Sequence, residues 1–94
     1  MMANNQQQTV ARAKSDLAKR LGITENEIAE GSVETADFPD MSLGAPVKDE
    51  MSGQMIVSGH RIQLSVEGKN YEYRADDAGE SLRLLNFKGV NHIV

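Results

Sequence analysis

Ser42, His60 and Asp40 supply the residue types of a hydroxyl nucleophile, a base and an orienting carboxylate, so an acyl-transfer triad can be written for this chain. There is no cysteine, which removes thiolate nucleophiles, thiolate metal sites and disulfides. The triad rests on residue type alone. Ser42 lacks the strand–turn–helix elbow that exposes a nucleophilic serine, and His60 sits in a strand-like run, where a half-buried or solvent-facing histidine is the ordinary outcome. The expectation is therefore no enzyme, with a small hydrolase or transferase using Ser42, His60 and Asp40 as the alternative. His60 and His92 are far apart, and Asp76-Asp77-Ala78-Gly79-Glu80 lacks the alternating oxygen ligands of a calcium loop. Neither a metal nor a cofactor is expected.

Ser42 belongs to the stretch Phe38-Pro39-Asp40-Met41-Ser42-Leu43-Gly44, which opens an unpatterned segment running to about Gly53. Segments of that length are uncommon in small domains and are usually either functional or disordered. Pro39 fixes its own φ and holds Phe38 extended. Asp40 and Ser42 can cap backbone amides, and Gly44 permits a positive φ. In the bland reading Asp40 and Ser42 satisfy the loop's own backbone while Phe38 and Leu43 plug into the sheet. In the functional reading Leu43, with Ser42 and Gly44, is presented on a braced loop to a protein or peptide.

Elements must position these residues. Thr9 is placed to cap a helix over 10–21, in which Val10, Ala13, Leu17 and Leu21 share a face, with Ala11 and Ala18 at its edge. Arg12/Asp16 and Asp16/Arg20 are spaced for i,i+4 pairing. Lys14 falls inside the apolar arc, where its stem can lie along the core while the ammonium reaches out. Gly22 caps the helix, and Thr24-Glu25-Asn26-Glu27 reads as a capping box stapled by Ile23 and Ile28.

A first strand is expected over 30–38 with a bulge at Gly31, and a second over 55–67 bent or broken at Ser58-Gly59. A hairpin at Gly68-Lys69 leads to a third over 70–75, and a turn at Asp76–Gly79 to a fourth over 81–87. Tyr71 and Tyr73 share one sheet face. Under the helix they are core residues. On an open face, with Arg61 or Arg74, they form a recognition surface.

One helix over one face of a small antiparallel sheet hides both apolar surfaces. The predicted fold is α+β in the order α-β-β-β-β, with about four strands. Residues 1–8 are a disordered lead-in, 9–87 one domain and 88–94 a tail. At 94 residues with no tryptophan, Ile, Leu, Val and Met must supply the core. The net charge of −4 argues against nucleic acid and anionic membranes. The basic cluster Arg12, Lys14, Lys19 and Arg20 is tempered by Asp16 and is expected to be solvated. With no apolar leader and no run near the ~20 residues that span a bilayer, a soluble cytoplasmic protein is expected.

Leu17–Ile23, Phe38-Pro39-Asp40-Met41-Ser42-Leu43-Gly44-Ala45-Pro46, Gly59-His60-Arg61-Ile62 and Tyr71-Glu72-Tyr73-Arg74-Ala75-Asp76 occur in that order. Together they resemble a group of small bacterial proteins of unknown function. In that group the loop reads Trp-Pro-Asp-x-Ser-Leu-Gly-Cys-Pro and the later motifs Gly-Tyr-Arg-Ile and Tyr-Glu-Tyr. The resemblance covers roughly 13–85. Phe38, Ala45 and His60 depart from it, so chemistry depending on the group's Cys would be missing here. It implies a shared fold and a shared use of the loop, and no reaction.

The expectation is a non-enzymatic binding or regulatory module acting through the 38–53 loop and the adjacent sheet edge. Its candidate residues are Phe38, Pro39, Asp40, Ser42, Leu43 and Gly44, with His60, Arg61, Tyr71 and Tyr73 as a weaker set. The partner is an unknown protein or peptide. A structural homodimer through sheet pairing is the further alternative.

Overall fold

The computed structural model describes residues 5–51 and 53–94. Helix α1 (Asn5–Leu21) precedes a short 3-10 turn (Glu25–Glu27) and five strands: β1 (Ala29–Phe38), β2 (Val57–Val66), β3 (Lys69–Asp76), β4 (Leu82–Phe87) and β5 (Val90–Ile93). The strands form one antiparallel sheet in chain order, each paired with the next. The expected α+β architecture is present, with one more strand than anticipated.

The helix buries Val10, Ala13, Leu17 and Ala18, the stripe that its spacing dictates, while Ala11 stays exposed. It starts at Asn5, so Thr9 lies inside it and is itself buried rather than acting as its cap. Gln6, Gln7 and Gln8, placed in the lead-in, are good helix formers and simply extend its first turns; residues 1–4 of that lead-in lie outside the described residues. At the other end Gly22, at φ +69°, lets Ile23 N–H reach back to the Ala18 carbonyl at 3.0 Å, the bond of a Schellman cap.

Beneath α1 the core runs through Ile62 and Leu64 of β2, Tyr73 and Ala75 of β3, and Leu82, Leu84 and Phe87 of β4. Burying each Leu or Ile there contributes about 1.5–3 kcal/mol relative to exposure. Tyr73 is fully buried and its hydroxyl donates to Asp16 on the helix at 2.8 Å. Burial, with that carboxylate beside it, pushes the phenol far above its usual pKa, so it remains a donor. Asp16 also accepts from Arg20 at 2.7 Å, as spaced, whereas Arg12 bonds instead to the Gly79 carbonyl at 2.8 Å.

One glycine is demanded by close approach and a second sits at a tight one. A Cβ on Gly59 would lie 1.9 Å from the Ala75 carbonyl oxygen, so only glycine lets β2 bend against β3 and remain one strand. At Gly31 a Cβ would meet the Gln63 carbonyl at 3.0 Å, beside the register shift between Glu30 and Val33. Both hairpins that close on two residues, Glu67-Gly68 and Lys88-Gly89, hold both residues at positive φ, as a type I′ turn requires. The first hairpin therefore turns one residue earlier than expected. The second folds the expected tail back as β5, with Val94 packed against the core while Val90 and Ile93 stay exposed.

Candidate functional site

Strand alternation sends Arg74 of β3 and Arg83 of β4 to the sheet face opposite α1. The loop after β1 lies across that face. Asp40 organises its first turn: one carboxylate oxygen accepts the Ser42 amide at 3.0 Å, the Ser42 hydroxyl at 2.5 Å and the Gly44 amide at 3.3 Å. These bonds, led by that from the hydroxyl, hold the Asp40 carboxyl below its ordinary value. Leu43 at φ 62° and Gly44 at φ +68° then turn the backbone sharply.

This turn aims carbonyls at the arginines. Arg74 donates to the Leu43 carbonyl at 2.9 Å, pairs with Glu72 at 2.8 Å, and sits 5.4 Å over the Phe38 ring. Arg83, buried, donates to the Ala45 carbonyl at 3.3 Å and grips the Glu50 carboxylate with both terminal nitrogens. The guanidinium holds the Glu50 carboxyl below its usual range, and Glu50 also caps the Val47 amide at 3.1 Å. Asn91 of β5 adds a bond to the Pro46 carbonyl at 2.9 Å. A Cβ on Gly44, already at φ +68°, would lie 2.8 Å from the Arg74 guanidinium, which would have to move from its place in the clamp.

These contacts decide where the expected site residues stand. Ser42 and Leu43 are fully buried, and Phe38 nearly so, each on the sheet side of the loop. The expectation that Leu43 is presented outward, with Ser42, does not match this geometry: its side chain plugs the sheet and only its carbonyl is used. Pro39 and Gly44 remain exposed and Asp40 is half-buried.

His60 alternates with Ile62 and Leu64 towards the helix face, 3.9 Å from Asp77, whereas Ser42 lies on the other face with its hydroxyl committed to Asp40. The sheet separates them, and the triad does not assemble. Arg61 is exposed, 3.8 Å from Glu34. Tyr71 is half-buried beside Phe87 and Tyr73 is core, so the two tyrosines lie on the covered face. Among the described residues no three His, Asp or Glu side chains come together as a metal site, and no helix is long and apolar enough to cross a membrane.

Open surface occurs elsewhere. The loop's outer residues Met41, Met51, Met55 and Ile56 are all more than half exposed. Among the described residues strand β1 pairs only with β2, so one side of its ten residues carries backbone amides and carbonyls with no described strand against them. Alongside lies a groove of about 570 Å³ between the first half of α1 and β1. Val10 and Val33 form its apolar floor, and Gln6, Lys14, Glu25 and Glu30 its rim. Lys14 crosses it to Glu30 at 3.0 Å, the course its place in the apolar arc requires. The groove was not legible from periodicity, because it exists only where the helix stops short of covering the edge strand.

Residues 10–84 match the model of a domain of unknown function, DUF8738. The chain belongs to this family. No curated protein and no solved structure gives a significant match. The matched span of DUF8738 runs from the apolar stripe of α1 to the middle of β4, taking in β1, the docked loop and both arginine clamps but not β5.

Proposed function

We propose that this DUF8738 protein is a non-enzymatic binding module that receives an extended segment of a partner protein on the free edge of β1, with the exposed outer side of the 38–53 loop as its continuation. One observation carries this reading: a ten-residue strand with an unpaired edge runs beside a groove formed with α1. Strand addition takes affinity from main-chain bonds and specificity from pockets that receive alternate side chains. The edge provides the first and the groove the second. A hydrolase built on Ser42, His60 and Asp40 has no support in the geometry.

Proline at the edge tests it. Of two neighbouring positions in an antiparallel strand, one points its N–H at the adjoining strand and the other at the open side. Thr35→Pro and Ala36→Pro are therefore made in parallel, and the variant retaining the parent's circular dichroism and melting temperature is the informative one. Affinity capture from the native cell with that variant should lose the proteins retained by the parent. Identical captured sets would overturn the edge as the binding surface.

A further inference from the structure

We propose that the hairpin end of the sheet, where β3 and β4 part, is a second site: a cleft for a small organic carboxylate whose anionic group is shared by Lys69 and Lys88. It is independent of the β1 edge. Strands β3 and β4 are in register only from Tyr73 opposite Leu84 to Ala75 opposite Leu82. Between Leu84 and Phe87 the register of β4 with β5 shifts, and Asn86 stands at φ 51°. A bulge of this kind bends its strand and interrupts pairing. Residues 69–72 are therefore paired to β2 alone. Every second one of them turns its N–H and C=O towards the parted strands, where no β4 residue is paired to them.

A cleft of about 480 Å³ lies at this parting, within the range of about 300–1,000 Å³ usual for small-molecule sites. Leu21, Tyr71 and Leu85, all half-buried, give it an apolar wall. Lys69 stands at the start of β3 and Lys88 just past the end of β4, so each lip carries one exposed ammonium.

Among the described residues neither lysine forms an ion pair. Lys88 has the Phe87 ring, 5.6 Å from its ammonium. The other charges around the cleft are already matched. Glu72, which lines it, accepts from Arg74 at 2.8 Å and from the Gln63 amide at 3.3 Å. Arg20, 5.8 Å over Phe87, is held by Asp16 at 2.7 Å. Glu67 is exposed on the turn before Lys69 and does not line the cleft. The cleft is thus locally positive in a chain whose net charge is −4. Two ammonium groups about one cleft repel each other, and an anion between them turns that repulsion into attraction. The apolar wall favours an anion with a hydrocarbon body over a bare inorganic one.

The probes are benzoate, its neutral counterpart benzamide, and inorganic phosphate, read by amide shifts of the ¹⁵N-labelled protein at low salt. Benzoate is expected to move the amides of 69–72 and 85–88, to spare β1, and to bind at least about tenfold tighter than benzamide. Phosphate should bind more weakly than benzoate. Lys69→Gln and Lys88→Gln should each weaken benzoate several-fold, and together at least about tenfold, at an unchanged melting temperature. Lys19→Gln, an equal charge change on an exposed residue outside the cleft, should not alter it. Equal binding of benzamide overturns the anionic ligand, and phosphate binding as tight as benzoate overturns the organic one. Benzoate shifts that avoid both segments, that survive the double variant or that fall equally in Lys19→Gln overturn the site, as does no binding at all. None of these outcomes touches the β1 edge, which the proline variants test separately.

Discussion

The two faces of the sheet are covered by different physics. On one, α1 packs Leu17, Ala13 and Val10 onto Ile62, Leu64 and Leu84, and the attraction scales with the apolar area removed from water. On the other, the loop is held mainly by directed bonds: Arg74, Arg83 and Asn91 bind three successive stretches of backbone, and Glu50 closes the clamp. Phe38, Leu43 and Ala45 are buried there too, but they are few against the helix-side cluster. The helix layer should thus respond to side-chain volume and hardly to charge, and the loop layer the reverse. A loop that looks free in sequence is in this molecule a tied strap, while the edge strand β1 from which it leaves keeps one side open.

The largest effect should come from the helix side. Leu17→Ala opens a cavity in the fully buried core and is expected to cost about 2–5 kcal/mol, seen as a lower denaturation midpoint with an unchanged slope. Helix and sheet amides should lose protection together. A loss below about 1 kcal/mol would mean that α1 is not the main cover of the sheet.

Next comes the clamp. Glu50→Gln keeps the shape but leaves the mostly buried Arg83 guanidinium facing a neutral amide, at an expected cost of about 1–3 kcal/mol. Hydrogen exchange should accelerate at Leu43, Ala45 and Val47, whose amides bond within the loop, and not in β2 or β3. Uniform acceleration across the sheet would erase the distinction between the layers.

Acid should separate the layers without mutation. Asp40 and Glu50 both have folded pKa values held below their ordinary 3.8 and 4.5. Groups depressed in this way stabilise the fold above those ordinary values and lose the contribution as pH falls through the lower folded ones. Loop amides should therefore lose protection below about pH 4.5 while the Tyr73 environment, read by ultraviolet absorbance, persists further into acid. Simultaneous loss of both would show a single cooperative unit.

How much of this was legible in the sequence follows the same division. The helix face, the bulge at Gly31, the bend at Gly59 and the burial of Tyr73 follow from periodicity and glycine placement, because local geometry and apolar spacing decide them. The docking of the loop does not, since it depends on arginines more than thirty residues away whose guanidinia meet carbonyls rather than side chains. One hint existed: Arg83 stands among Leu82, Leu84 and Leu85, a charge where alternation leaves it little water. Strand β5 was hidden because Lys88-Gly89 is a weaker type I′ signal than Asn-Gly, and Asn91-His92 interrupts the alternation that marks a strand.

The smallest effect tests whether the helix layer owes anything to its own polar bond. Tyr73→Phe removes the hydroxyl that donates to Asp16 and leaves the ring in place, so the core loses one oxygen and no packing volume of consequence. Asp16 retains Arg20 at 2.7 Å, so its carboxylate is not left without a partner. The cost should be about 0.5–1.5 kcal/mol, the net worth of an ordinary hydrogen bond, and well under that of Leu17→Ala. If Tyr73→Phe instead costs as much as Leu17→Ala, the helix is fastened by a bond as the loop is, and the contrast between the two faces fails.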